Sequence, residues 1–239
     1  QVQTLTVTTN NVALIPPPAV NYTSPNTTGT ITYTPLANQS GTAVITVTVT
    51  DAGGASTSRT FTVTVSPVND PPTLDAIGDP AAIFEDTSLQ TVNLSGISAG
   101  GGESQVLSVT ATSNNPGLIP SPAVNYTSPN TTGTITYTPL ANQSGTAVIT
   151  VTVTDAGGAS TSRTFTVAVG AVNDPPTLDA IGDPAAILED AGLQTVNLSG
   201  ITAGPGESQV LSVTATSSNP ALIPPPAVIY TSPNTTGTI

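Results

Sequence analysis

The chain contains no cysteine, histidine, lysine, methionine or tryptophan. Without cysteine it forms no disulfide and offers no thiolate to a metal or a substrate. Without histidine and lysine it builds no Ser–His triad and no Schiff base. Positive charge is nearly absent too: Arg59 and Arg163 stand against fourteen acids, for a net charge of −12. Such a surface repels phosphate, so nucleic acid and anionic membrane surfaces are poor partners, while cations are the natural counterpart. No run of about 20 apolar residues occurs, so no segment inserts in a membrane as a helix. Aromatic residues make up 3%. Adjacent Glu85 and Asp86 do not make a glycosidase pair, because neighbours on a strand point to opposite faces. Gly100–Gly102 is not a phosphate loop, since no lysine follows it. The expectation is a protein that is not an enzyme.

What the chain has is repetition. Residues 21–104 and 125–208 differ at only eight of 84 positions, which sets a period of 104. The segment Asn21–Gly29 returns at 125–133 and, with Ile229 for asparagine, at 229–237. A period near 100 is too long for a helical solenoid unit and suits an array of whole domains. Threonine supplies about a fifth of the residues, with abundant valine, and both favour pleated sheet. Pro, Gly and Asn supply turns. The composition approaches that of a mucin-like stalk, but its apolar residues are periodic rather than sparse.

In 42–51, Ala43, Ile45, Val47 and Val49 alternate with Thr46, Thr48 and Thr50. In 59–65, Phe61, Val63 and Val65 alternate with threonines. These read as half-buried antiparallel strands joined by the Asp51-Ala-Gly-Gly-Ala turn. Within one period, strands are expected near 82–83, 90–94, 106–112, 123–127, 133–138, 146–154 and 163–169. Seven short strands in about 100 residues predict an all-β, immunoglobulin-like seven-stranded sandwich. Pro71-Pro72 and Pro175-Pro176 cannot donate to a ladder and stiffen the chain. Domains are therefore expected at 1–70, 71–174 and 175–239, one complete between two partial. The chain begins at Gln1 and both ends fall inside a repeat, which reads as a window from a longer secreted protein. Alternatively, the partial domains of neighbouring chains complete each other by strand addition.

The run from Val151 through Asp155-Ala-Gly-Gly158, Arg163-Thr-Phe-Thr-Val167 and Val172-Asn-Asp-Pro-Pro176 resembles the closing strands and linker of cadherin repeats. It is most similar to the cadherin-like, immunoglobulin-like tandem repeats of large bacterial surface proteins and adhesins. That resemblance implies a Greek-key sandwich in an extended array, an extracellular or cell-surface location in a prokaryote, and calcium at the domain junctions. Of the cadherin Asp-x-Asn-Asp linker, Asn69-Asp70 and Asn173-Asp174 remain, while Pro67 and Ala171 replace the leading acid. The strand-borne glutamate is kept as Glu85 and the hairpin-opening aspartate as Asp155. The loops 100–103 and 204–207 offer Glu103 and Glu207, and Asn38-Gln39 brings amides only. The implied ligand set is thus Asn69, Asp70, Glu85, Glu103, Asp155, Asn173, Asp174 and Glu207. Topology places the Glu103 loop and the Asp155 turn at the end of the second domain nearest Asp70, with Asn38 and Gln39 facing them. Six to eight oxygens are what a hard cation needs.

Two functions follow as expectations. The first is a structural stalk, fibre or filament whose partners are copies of itself or neighbouring repeats. A ten-residue strand spans roughly 30 Å, so each repeat extends a rod by about that much. The second is an adhesin binding a glycan or another cell surface, for which Tyr22 and Tyr126 would stack on sugar. Packing is the expected use of those rings, and loop tips rich in Gly, Ser, Asn and Pro favour the scaffold. Sequons at Asn21, Asn26, Asn38, Asn93, Asn125 and Asn130 are compatible with glycosylation. Arg59 and Arg163 are expected to pair with carboxylates.

Overall fold

The computed structural model describes residues 2–239. Fourteen strands form among them and no helix, so no helix is long and apolar enough to cross a membrane. The first group of strands comprises β1 (Gln3–Thr9), β2 (Ala19–Asn21), β3 (Thr30–Thr32), β4 (Gly41–Asp51) and β5 (Ser56–Val65). The second comprises β6 (Ile83–Phe84), β7 (Gln90–Leu94), β8 (Leu107–Ser113), β9 (Ala123–Asn125), β10 (Gly133–Tyr137), β11 (Gly145–Asp155) and β12 (Ser160–Gly170). Two short strands follow, β13 (Asn197–Leu198) and β14 (Gly237–Thr238). The seven strands expected of one period are the seven of the second group, with ends shifted by a few residues.

The second group closes into a sandwich. One sheet runs β6-β12-β11-β8 and the other β7-β10-β9. The chain crosses between sheets after β6, β7, β8 and β10. β6 lies parallel to the end of β12, and every other pair is antiparallel. Alternation explains the packing: Ala147, Ile149, Val151 and Val153 of β11 are all within 1% of complete burial, while the intervening threonines face outward. They meet Leu94, Ile97, Leu118, Ile119, Ile135, Phe165 and Val167 in one core. Each such side chain contributes about 1.5–3 kcal/mol by leaving water.

The flanking groups hold the same sequence with less structure. The first lacks counterparts of β6 and β7 and forms sheets β1-β4-β5 and β2-β3. Its core shrinks to Leu14, Ile15, Ala43 and Ile45, packed by Val7, Val63 and Val65. Phe61 is 39% and Tyr33 43% exposed, against 1% for Phe165 and 4% for Tyr137, their equivalents one period on. After β12, residues 211–217 are equivalent to β8 yet form no strand. Their ladder partner in the second group is β11, which has no counterpart within the 239 residues.

Burial pushes the Tyr137 hydroxyl above the ordinary tyrosine value. The native state therefore keeps this proton longer than the unfolded chain. Its contribution is complete below about pH 10 and is lost as pH rises through the raised native value. Stability measured by denaturant titration should fall across that alkaline window in the native chain, and the fall should be shallower in Tyr137→Phe.

Candidate functional site

The acids gather where one group of strands meets the next. At the first junction the linker is held by the second sandwich. Asn69 donates from Nδ2 to Asp155 Oδ2 at 3.1 Å and accepts at Oδ1 from Gln105 Nε2 at 2.7 Å. The Asp70 amide donates to Glu103 Oε1 at 3.0 Å. Gln105 Nε2 also donates to Glu103 Oε2, and Thr161 Oγ1 donates to the Pro72 carbonyl. Asp155 opens the β11–β12 turn, where its Oδ1 accepts from the Ala159 amide, and it is 6% exposed. One carboxylate thus shapes the hairpin with one oxygen and grips the linker with the other.

Loops from both sides touch directly. Asn38 adopts a left-handed conformation (φ 59°), which asparagine tolerates. Its backbone carbonyl lies where a Cβ on Gly102 would come within 2.2 Å, and its side-chain Nδ2 lies where one on Gly101 would come within 1.9 Å. A hollow of about 200 Å³ opens beside this contact, lined by Asn38, Gln39, Ser66, Asp70 and Glu103 among others.

At the second junction the linker keeps the aspartate–glutamate contact and gains partners from the preceding sandwich. Glu85 follows β6; its amide donates to the Gly170 carbonyl and its Oε1 accepts from the Val172 amide at 2.6 Å. It is 7% exposed. Asp86 is left-handed (φ 63°) and its Oδ1 accepts from the Asn142 amide at 3.3 Å. The Asp174 amide donates to Glu207 Oε1 at 2.5 Å. The Asp174 carboxyl is raised above the usual carboxylate range, first by desolvation and then by Asp86, Glu207 and Glu85. The residue as a whole is half-buried, yet its Oδ2 is sealed from solvent and has no hydrogen-bond partner.

The eight ligand candidates therefore divide between two places. Asn69, Asp70, Glu103 and Asp155 meet at the first junction; Glu85, Asp174 and Glu207 meet at the second, with Asn173 in the same linker. Among the described residues, no three or more carboxylates are arranged as a metal-holding group. In donor chemistry the second cluster nevertheless fits a hard cation: all-oxygen ligands, mutual repulsion and one orphaned buried oxygen. Sequence reasoning passed over Asp86 and Gln105 as ligand candidates. The signal for Asp86 was weak, an acid just beyond a strand where only a turn-tolerant residue adopts positive φ.

One expectation fails here. Arg59 and Arg163 do not pair with carboxylates: each donates from Nη1 to the carbonyl of the preceding serine. The reason is register, since the residues across the ladder are Val47 and Val151. The Tyr126 ring is committed to packing: it lies against the core and against Gly133, whose Cβ would come within 3.3 Å of the ring, and its hydroxyl is buried without a partner.

The chain resembles proteins of known structure at low identity. The cis-dimer structure of protocadherin gammaB7 EC3-6 matches with a TM-score of 0.50 at 20% identity, over 75% of this chain and 43% of that one. The S-layer protein SbsC domains 4 and 5 match at 20% identity and a TM-score of 0.31, over 70% of each chain. The first match shows a shared fold, and the chain spans less than half the length of that protocadherin chain. No curated protein matches the chain. The family model described as the bacterial Ig domain matches residues 2–64 and again 69–168. These matches cover well over half the chain, which therefore belongs to the bacterial Ig domain family.

Proposed function

We propose that the chain is a stretch of an extracellular stalk, fibre or filament of a bacterial surface protein. Its units are residues 1–70, 71–174 and 175–239, and calcium stiffens the joints between them. The observation that carries this reading is the way the linkers are bound. Asn69 and Asp70 are hydrogen-bonded into the following sandwich, and the Val172 amide into the preceding one. A linker tied to its neighbours transmits tension and orientation, where a free one would act as a swivel.

At the second junction Glu85, Asp86, Asp174 and Glu207 would hold the cation, with the amide oxygen of Asn173 as a neutral donor. Bound calcium would supply positive charge to a cluster whose members repel one another. The chain's own part is to fix those carboxylates: Glu85 through the end of β12, Asp86 through the Asn142 amide, and Glu207 through the Asp174 amide.

The test is thermal unfolding in calcium against unfolding in EDTA, with small-angle scattering on both samples. At calcium 100-fold above its Kd, binding should add about 2.7 kcal/mol, and Asp174→Asn should weaken that response. An unchanged melting curve would sink the calcium claim. A scattering profile with no preferred inter-unit distance would sink the stalk. The adhesin reading is less well supported, because the ring it needs is spent on Gly133 and the core.

A further inference from the structure

The outer face of the three-stranded sheet in the second sandwich carries a row of neutral polar residues. Asn93 of β7 pairs with Thr134 of β10, which pairs on its other side with Asn125 of β9. Their chain neighbours Leu94 and Ile135 are buried in the core. The two asparagines thus stand two strand spacings apart, about 9–10 Å, with a hydroxyl between them. The loop 127–132 adds Asn130 and Thr132. With Tyr126 these residues border a hollow of about 520 Å³, a size ordinary for a small-molecule site.

Three hydrogen bonds fix the loop. The Asn130 amide donates to the Thr127 carbonyl at 3.0 Å, the Ile97 amide to the Thr131 carbonyl at 3.1 Å, and the Leu107 amide to Ser128 Oγ at 3.1 Å. The hollow recurs in the third unit, at about 490 Å³, between Asn197, Asn234, Thr236 and Thr238. The same three bonds hold its loop, from Asn234 to Thr231, from Ile201 to Thr235 and from Leu211 to Ser232. One bordering residue differs, because Ile229 stands where the second unit has Asn125.

We propose that each hollow binds a neutral oligosaccharide through its amides and hydroxyls. Charge decides the class of ligand. The chain carries −12, yet no charged side chain lines either hollow. A cation would need carboxylates there, and an anion would need arginine or lysine. The groups on offer are amides, which hold donors and an acceptor together, and hydroxyls, which do both with one atom. A sugar hydroxyl also donates and accepts, so it pairs with either. Asn93, Asn125 and Asn130 are exposed, and among the described residues none of their side-chain amides hydrogen-bonds to another protein group. The Tyr126 ring lies against Gly133 and the core, so recognition rests on hydrogen bonds rather than stacking. Each site is therefore weak by itself, and repetition along the array multiplies it. The third hollow, short of one amide, is the weaker of the two.

Asn93, Asn125 and Asn130 lie in sequons, where a covalently attached glycan would fill the hollow itself. The full chain is therefore made in a host without N-glycosylation, and its intact mass is verified. Chitotriose, cellotriose and a capped trialanine peptide are titrated separately into nitrogen-labelled chain, and the side-chain amide resonances are followed. At least one sugar should shift those of Asn93, Asn125 and Asn130, and the peptide should not. Asn125→Ile introduces the residue that the third unit already carries, and exchange protection in β10 verifies its folding. It should raise the Kd of the second hollow by about fivefold or more, and Ile229→Asn should bring the third to within about twofold of the second. No shift with either sugar, an unchanged Kd in Asn125→Ile, or an equal response to the peptide would each overturn the proposal. The stalk reading is untouched by any of these results.

Discussion

Phe165→Ala should cost the second sandwich about 3–5 kcal/mol, and Phe61→Ala in dilute solution only about 1–2 kcal/mol, although both rings sit in the same run Arg-Thr-Phe-Thr-Val. The difference comes from what covers them. Phe165 is 1% exposed, inside a core shared by both sheets. Removing it leaves a cavity bounded by β7, β10 and β11, which cannot collapse without breaking ladders. Phe61 is already 39% exposed and has less to lose. Since the groups need not melt together, one global midpoint is the wrong measure. Amide exchange in β11 and in β4, resolved by mass spectrometry, reads the two separately. Equal loss of protection in both variants would mean that the Phe61 ring is as fully enclosed in solution as that of Phe165.

The second large effect is expected at the joints. Gly102→Ala and Gly206→Ala each place a methyl at a left-handed position (φ 72° and 73°) and into a backbone carbonyl of the preceding group. The carbonyls of Asn38 and Asn142 lie only 2.2 and 2.4 Å from the new carbon, so one loop must leave the other. The left-handed alanine alone costs about 1–2 kcal/mol. Gly158→Ala separates the two contributions, because it has φ 89° and nothing within 4 Å. Limited proteolysis at 66–72 should accelerate roughly tenfold or more in Gly102→Ala, since each 1.4 kcal/mol lost from the closed joint is tenfold in its open population. Gly158→Ala should leave that rate near the parent value. Equal acceleration in both variants would show that the loop contact adds nothing to the joint.

The all-β fold was legible because two signals agreed: alternation in 42–51 and 59–65, and a repeat that displayed each strand more than once. The convergence of Glu103, Asp155 and the linker followed from counting strand direction. Other features depended on three-dimensional neighbours. Nothing local distinguishes Phe61 from Phe165, because their difference lies in strands more than 60 residues away along the chain. The division of the ligand candidates between two junctions was equally hidden, since it depends on Glu85 closing on β12 while Asp155 reaches back to Asn69. The arginines misled for a related reason. Charge balance suggested carboxylate partners, and register across the ladder supplied valines.

The joints draw on both neighbours at once: Glu85 and Asn142 belong to the unit before a linker, Glu207 to the unit after it. Half of each joint therefore travels with either side of any cut. Adding or removing 104 residues, wherever the break falls, rejoins matching halves and leaves every joint complete. Removing 90 or 120 would set a glycine loop against the wrong carbonyl and an acid against no linker. Such an array is free to vary in number and is held fixed in phase, so recombination between its near-identical repeats changes their number while preserving the joints.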